Sequence, residues 1–288
     1  MSAIRTLEVD GTAVRIEGRG RDTVLMIHGW PDSVVLWDGL VAALSSRRRC
    51  ARFTLPGYAP GAARRAPPLE AMVAHLAAIA DAASPDAPIT LVVHDWGAFY
   101  GYQYAMRHPG RVARIVGLDV GDAGSPAHRR SLPARARAMI AGYQLALAAA
   151  WAMPAPIGDA VTRRMARWLR APASPAVVHA RMNYPYAHAW TGRFGGALPV
   201  EPRCPMLYVY GERKPFMFHS PEWAGRIAGM PGCAVRGLRA GHWLMRDRAA
   251  ELEGLVAGWL DGAEGCGLVA ARVDARIAAG PTVARRAR

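Results

Sequence analysis

Asp95 stands at a predicted strand-to-helix turn in the segment His94-Asp95-Trp96-Gly97. The apolar run from Ile89 to Val93 is typical of a buried strand, and residues Gly97 to Met106 are typical of a helix. Such a turn holds its polar side chain out of the sheet, beside the amides that begin the helix and stabilise negative charge. A carboxylate nucleophile in that place forms an alkyl ester, which suits opening an epoxide or displacing a halide. The alternative is an aspartate that only caps the helix.

Two further stretches supply groups that such a reaction needs. His28-Gly29-Trp30-Pro31 follows another predicted central strand. The backbone amides of Trp30 and Trp96 are therefore expected to hold the negative charge that develops when the ester is hydrolysed. His242, in a glycine turn between the last predicted strand and the last predicted helix, is expected to be the base that activates water. The alternative for the first stretch is a plain glycine-proline turn.

Strand-like and helix-like segments alternate along most of the chain, which predicts a mostly parallel central sheet flanked by helices. The predicted strands are 13–17, 24–28, 50–55, 89–93, 115–119, 205–210 and 234–238, and the predicted core helices are 36–44, 69–82, 97–106, 221–230 and 249–260. Residues 122–203 carry helical patterns and prolines but no convincing strand, which indicates an inserted helical cap. The predicted organisation is a hydrolytic core of residues 1–121 and 204–261, a cap of residues 122–203 and a disordered tail of residues 262–288.

These motif-bearing stretches resemble the epoxide hydrolase and haloalkane dehalogenase branch of the α/β-hydrolase superfamily. In that branch an HGWP-type motif marks the oxyanion loop, an HDWG motif marks the aspartate nucleophile, and a GHW or GHF turn carries the base. The matching residues here are 28–31, 94–97 and 241–243, in that family's order. The resemblance covers about residues 10–260. It implies an α/β-hydrolase fold with an inserted cap, a small-molecule substrate, and no cofactor or metal.

The acid that orients the histidine departs from the family pattern. Epoxide hydrolases usually carry it after the sixth predicted strand, where this chain has Lys214, and a lysine cannot orient an imidazole as a carboxylate does. Some haloalkane dehalogenases place the acid at the end of the strand after the nucleophile helix, which implies Asp119. Glu212 and Asp122 are the substitutes, and a plain turn cap is the alternative role for Asp119. If no carboxylate reaches His242, the site is expected to be slow or inactive.

The resemblance also implies that tyrosines of the cap take part in the reaction. Epoxide hydrolases use two of them to hydrogen-bond the epoxide oxygen as the ring opens, and Tyr143 with one of Tyr184 and Tyr186 is expected in that role. Plain packing in the cap is the alternative.

Haloalkane dehalogenases instead need ring N–H groups or an Asn amide to bind the leaving halide. Trp96 offers one ring N–H, but Trp30 stands where many of these enzymes have Asn. The leading hypothesis is hydrolysis of an apolar epoxide through the covalent ester. The alternatives are dehalogenation, another hydrolytic reaction that uses the aspartate nucleophile, and a catalytically inert fold that binds a ligand.

The composition fits one large α/β domain with an insert. The chain has 288 residues, of which 52% are hydrophobic and 20% charged. Its net charge is +14, but Lys214 is the only lysine among 36 basic residues, and the arginines accompany no nucleic-acid-binding motif. No nucleic-acid partner is therefore expected. Four cysteines without paired spacing indicate a reducing compartment. Without a signal-peptide pattern or a membrane-spanning stretch, a cytoplasmic protein with a small apolar substrate is expected.

Overall fold

The computed structural model describes residues 4–61 and 63–262, and an eight-stranded sheet forms its centre. In chain order the strands are β1 (Arg5–Val9), β2 (Thr12–Gly18), β3 (Thr23–Ile27), β4 (Arg49–Phe53), β5 (Ile89–His94), β6 (Val112–Leu118), β7 (Met206–Gly211) and β8 (Ala234–Leu238). They lie side by side in the order β1-β2-β4-β3-β5-β6-β7-β8. β2 is antiparallel to β1 and β4, and the pairings from β4 to β8 are all parallel. The predicted mostly parallel sheet is confirmed.

Helices cover both faces of the sheet. They are α1 (Asp38–Leu44), α2 (Leu69–Ala83), α3 (Trp96–Arg107), α4 (Pro126–Ser131), α5 (Ala134–Ala152), α6 (Ala155–Trp168), α7 (Tyr184–Trp190), α8 (Pro221–Ala228), α9 (Leu244–Asp247) and α10 (Ala249–Leu260). Leu25 and Leu91 point into one apolar cluster with residues of α2 and α3, whereas Val24 and Val92 point into a second with α1 and α10. Most positions of the central strands β3 and β5 are apolar because both faces of these strands are buried.

Helices α4 to α7 lie between β6 and β7, in the segment where the cap is predicted. Residues 119–205 are all described by the structure, and no strand occurs among them. α5 packs against both α6 and α7. The predicted tail lies outside the described residues from position 263 onward. Among the described residues no helix has both the length and the apolar character that crossing a membrane requires.

β1 is a strand that the apolar pattern did not predict. Its residues are mostly exposed at the edge of the sheet, so its alternation of buried and exposed positions is weak. The turn to β2 is formed by Asp10 and Gly11, which have φ values of 49° and 74°. An Asp-Gly pair with two positive φ values is typical of a tight hairpin. That dipeptide was the signal in the sequence for this strand.

Candidate active site

Asp95 lies at the turn between β5 and α3 and has a φ of 52°. This left-handed conformation is rare for a residue with a side chain, and it marks a constrained position. Two glycines make room for the turn. A Cβ on Gly97 would lie 2.2 Å from the carbonyl oxygen of Ile27, and a Cβ on Gly29 would lie 2.3 Å from Asp95 Oδ1. The turn that carries Asp95 and the loop after β3 therefore approach each other too closely for a side chain at either glycine.

The two backbone amides predicted for the oxyanion hole both face Asp95. The N–H of Trp30 donates to Asp95 Oδ1 over 2.6 Å, and the N–H of Trp96 also donates to this carboxylate. Burial raises the pKa of Asp95, but the hydrogen bond and the charge of His242 and the Trp96 amide lower it by more. The Asp95 carboxylate therefore already accepts hydrogen bonds from both of these backbone amides. The same donors can hold an oxyanion formed at that carbon.

His242 lies in the turn after β8, between two carboxylates. Its Nε2 is 3.5 Å from Asp95 Oδ2, and its Nδ1 is 2.5 Å from Asp119 Oδ2. Burial lowers the pKa of His242, but the hydrogen bonds and charges of Asp119 and Asp95 outweigh burial and raise the pKa to about 9. The ring is thus an imidazolium at neutral pH while both carboxylates are charged. The structure brings these three predicted residues together.

Asp119 follows the end of β6, has a φ of 66°, and is fully buried. The backbone N–H of Gly211 donates to its Oδ1 over 2.9 Å, and the Lys214 ammonium group donates to the same oxygen. Burial raises the pKa of Asp119, but the charge of Lys214 and the hydrogen bond to His242 bring it well below its ordinary value. Lys214 stands where the family acid was expected. Its ammonium group forms an ion pair with the carboxylate of Asp119, which follows β6.

The two substitute acids lie elsewhere. Glu212 is exposed to solvent. Asp122 accepts hydrogen bonds from the backbone and hydroxyl of Ser220, over 2.6 and 2.7 Å, and from the hydroxyl of Ser125 over 2.6 Å. These contacts give Asp122 a structural role at the start of the inserted segment. The geometry therefore favours Asp119 alone among the three candidates.

A cavity of about 580 Å³ extends from Asp95 and His242. Tyr143 and Tyr186 both line it, with their ring centroids 6.1 Å apart in an edge-to-face arrangement. Burial raises the pKa of both phenols, so both hydroxyl groups keep their protons at neutral pH. The cavity thus presents neutral hydrogen-bond donors beside the carboxylate of Asp95.

Tyr184 does not line the cavity, which corrects the expectation that it can serve as an epoxide donor. It precedes Tyr186 by two residues in α7, and side chains two residues apart on a helix point about 200° away from each other. Its ring packs instead against Tyr58 and Trp151, with centroid distances of 6.0 and 6.1 Å. Of the two alternatives, only Tyr186 can reach a substrate beside Asp95.

Asn183 is a residue that sequence reasoning missed. The indole N–H of Trp30 donates to Asn183 Oδ1 over 2.8 Å, and the Asn183 amide donates to Thr162 Oγ1 over 2.8 Å. All three side chains are buried, and a buried amide of this kind needs such partners. These hydrogen bonds connect the loop after β3 to α6 and to the start of α7. Nothing in the local sequence signals a pairing between residues so far apart in the chain.

Two neighbouring histidines support the site without carrying charge. His28 Nε2 accepts the backbone N–H of Leu55 over 3.2 Å, and His94 Nε2 donates to the carbonyl of His242 over 3.0 Å. Burial lowers the pKa of His28 to about 4 and that of His94 to about 3. Both rings are therefore neutral, and His94 braces the turn that carries the candidate base.

Residues 22–172 match the family model described as "alpha/beta hydrolase fold". The chain belongs to the α/β-hydrolase fold family. It is similar to "Probable oxidoreductase EphD" of Mycobacterium tuberculosis, with 35% identity over 115 residues, 37% of this chain and 19% of that protein. It is also similar to the cis-3-alkyl-4-alkyloxetan-2-one decarboxylase of Shewanella oneidensis, with 34% identity over 112 residues, 36% of this chain and 34% of that protein. The matched segments span about a fifth to a third of these curated relatives.

Solved structures share the fold over nearly the whole chain of this α/β-hydrolase. The Bradyrhizobium elkanii haloalkane dehalogenase DbeA-M1 loop variant has a TM-score of 0.67 and 20% identity, covering 92% of this chain and 98% of that one. The Bacillus megaterium epoxide hydrolase in complex with an inhibitor has a TM-score of 0.68 and 18% identity, covering 89% of this chain and 100% of that one. The predicted α/β-hydrolase fold and the family resemblance are confirmed. Similarity at this level of identity establishes the fold, whereas the reaction has to be inferred from the residues of the site.

Proposed function

We propose that this α/β-hydrolase opens an epoxide with water in two steps, through a covalent ester on Asp95. The observation that carries the proposal is the linked row of Asp95, His242 and Asp119 beside a cavity lined by two protonated tyrosines, Tyr143 and Tyr186. A nucleophile, an oriented base and two neutral donors are the groups that this reaction requires.

In the first step the Asp95 carboxylate attacks an epoxide carbon, and the bond from that carbon to the ring oxygen breaks. Tyr143 and Tyr186 donate hydrogen bonds to the oxygen as negative charge develops on it. Esterification removes the charge of Asp95, which is one of the two groups that raise the pKa of His242. The imidazolium therefore becomes more acidic and supplies the proton that completes the new hydroxyl group.

In the second step neutral His242 takes a proton from water, and the hydroxide attacks the carbonyl carbon of the ester. The backbone amides of Trp30 and Trp96 stabilise the tetrahedral oxyanion. Its collapse expels the product alkoxide, which takes the proton of the carboxylic acid formed on Asp95. The diol leaves, and the resting pair of aspartate carboxylate and histidine imidazolium is restored.

Two specific contacts weigh against the alternatives. A halide leaving group needs free ring N–H donors, whereas Trp30 donates its indole N–H to Asn183 inside the protein and Trp96 is not among the residues that line the cavity. An inert binding fold would suit a histidine that reaches no carboxylate, whereas His242 lies 2.5 Å from Asp119. Epoxide hydrolysis remains the candidate that uses every polar group named above.

The proposal is tested by single-turnover hydrolysis of an epoxide panel in ¹⁸O-labelled water, with excess protein. The label is expected in the peptide that contains Asp95, and the first diol formed is expected to be unlabelled. His242→Gln should accumulate the ester as an added mass on that peptide, and Asp95→Asn should form none. Label in the diol alone, or turnover of haloalkanes without turnover of epoxides, would contradict the proposal.

A further inference from the structure

The mouth of the cavity is strongly basic, although the sequence predicts only an apolar substrate. Two aspartates, Asp95 and Asp247, are among the residues that line the cavity. They are outnumbered by six lysine and arginine side chains, namely Arg170, Arg213, Lys214, Arg239, Arg246 and Arg248. A cleft lined by an excess of one charge attracts ligands of the opposite charge.

Two of the six cations already have carboxylate partners. Lys214 binds Asp119, as described above. Arg246 binds Asp247 Oδ1 through its Nε over 2.9 Å and through a terminal nitrogen over 2.8 Å. Asp247 also accepts the backbone N–H of Gly241 over 2.8 Å. This aspartate is therefore engaged within the turn that carries the candidate base.

The remaining four cations form a basic rim, which consists of Arg170, Arg213, Arg239 and Arg248. Within residues 4–61 and 63–262, no carboxylate lies within salt-bridge distance of any of these four guanidinium groups. All four residues are exposed to solvent at the opening of the cavity. They are therefore available to an anion that enters from solution.

Hydrogen bonds to main-chain carbonyls connect the segments that carry the basic rim. The N–H of Arg213 donates to the carbonyl of Ala240, next to Arg239, over 2.8 Å. The Nε of Arg248 donates to the carbonyl of Arg239 over 3.4 Å. Arg246 crosses to the cap and donates to the carbonyl of Arg170 over 2.6 Å. The loops after β7 and β8 and the end of α6 thus present their guanidinium groups around one opening.

We propose that the substrate carries an anionic group, a carboxylate or a phosphate, that the basic rim binds while the apolar part reaches Asp95. Guanidinium groups bind both anions through paired hydrogen bonds. The cavity wall also includes Met139, Phe216 and Phe218, which suit an apolar chain. The volume of about 580 Å³ suits a ligand of small-molecule size. This inference rests on the proposed function for the position of the reacting carbon.

The test measures binding of unreactive ligands, so that it does not depend on turnover. Octanoate, octyl phosphate and octanamide have the same alkyl chain length to within a few atoms and differ in charge. Their affinities are measured by calorimetry for the unaltered protein, for Arg213→Gln and Arg239→Gln, and for Arg5→Gln. Arg5 is exposed in β1 at the edge of the sheet, so its substitution changes net charge by the same amount away from the cavity.

At least one of the two anions is expected to bind the unaltered protein about tenfold more tightly than octanamide, which corresponds to one strong charged contact. The tighter anion identifies the headgroup. Each rim variant should lose most of this advantage, and Arg5→Gln should keep it. Equal affinity for octanamide and the anions, or equal losses in Arg5→Gln, would overturn the inference. Phosphatidylglycerol vesicles are added as a fourth ligand, and binding to the vesicles without binding to either soluble anion would also overturn the inference. If the anions bind and no Asp95 ester forms in the ¹⁸O experiment, the proposed function fails and the anion site stands.

Discussion

Asp119 accepts a hydrogen bond of 2.5 Å from Nδ1 of His242, and this contact joins the end of β6 to the turn after β8. Its other oxygen is bound by Lys214 and by the N–H of Gly211. One fully buried carboxylate therefore serves two cations at once, and its charge is divided between them. The basicity of His242 depends on that division as well as on the charge of Asp95.

Asp119→Asn is expected to lower the pKa of His242 from about 9 towards its ordinary value, because the main group that raises it is lost. The ring also loses its orientation, so hydrolysis of the Asp95 ester should slow by about 10²- to 10⁴-fold. NMR titration of His242 and rapid-quench measurement of the ester test both effects. Glu212→Gln, at the exposed acid that follows β7, is the matched control and should change neither. An unchanged pKa in Asp119→Asn would remove Asp119 from the site.

The same pKa shift predicts how stability depends on pH. A histidine whose pKa is raised on folding stabilises the folded state fully below the unfolded pKa, near 6.5, and that contribution is lost as the pH rises through about 9. The free energy of unfolding should therefore fall over this range. Urea unfolding at several pH values should show a smaller fall in His242→Gln than in the unaltered protein. Identical pH profiles for the two would show that His242 does not titrate as an ion pair.

Lys214→Met is expected to lower the free energy of unfolding by about 3 kcal/mol, because it removes one of the two cations that a buried carboxylate binds. The side chains of Lys214 and Asp119 are 5% and 0% exposed, so solvent cannot replace the lost charge. With Asp119 facing His242 alone, the pKa of His242 should rise further, and the pH at which ester hydrolysis is half-maximal should rise with it. Urea unfolding and a pH profile of the second step measure these effects.

Lys214→Arg separates the charge of this residue from its shape. It keeps the cation, so it should retain a pH profile closer to that of the unaltered protein than Lys214→Met does. If both variants shift the profile equally, the charge of Lys214 is not what tunes His242. If neither variant changes stability or the profile, the ion pair with Asp119 has no energetic role.

The fold was predictable where the sequence carries a strong periodic signal. The apolar runs that became β3 and β5 are buried on both faces, and the helix predicted at 249–260 is found as α10 (Ala249–Leu260). The turn that carries Asp95 was predictable because Asp95 and Gly97 are close together in the chain. Local sequence was therefore sufficient for β3, β5 and α10 and for this turn, but it did not predict the exposed strand β1.

The partners within the site were less predictable because they are distant in sequence. Asp119 and Lys214 are 95 residues apart, and no local pattern shows that one neutralises the other. Trp30 and Asn183 are 153 residues apart. The arginines of the basic rim looked scattered along the chain. Only the arrangement of strand ends brings Arg213 and Arg239 to one opening, since each follows the carboxyl end of a neighbouring parallel strand.

The cap tyrosines offer a test with its own internal control. Tyr143→Phe and Tyr186→Phe should each lower kcat/KM for an epoxide about 10- to 100-fold, because each removes one donor to the developing alkoxide. Tyr184→Phe changes the same type of side chain on the same helix but outside the cavity, so it should leave kcat/KM within about twofold of the unaltered protein. Stopped-flow rates of ester formation locate the loss in the first step. A loss in Tyr184→Phe equal to that in Tyr186→Phe would reassign the donor.

Gly29→Ala tests the backbone contact that shapes the nucleophile turn. The added Cβ would lie 2.3 Å from Asp95 Oδ1 and 2.5 Å from the backbone nitrogen of Trp96, so the carboxylate or its amide donors must move. A displacement of this size at a nucleophile should lower the rate of ester formation by about 100-fold. Gly254→Ala is the matched control, because a Cβ there meets nothing within 4 Å and the residue lies inside α10. The control should keep full activity and gain up to about 1 kcal/mol of stability from the better helix former. Full activity in Gly29→Ala, with circular dichroism unchanged, would mean that Asp95 does not need this geometry to react.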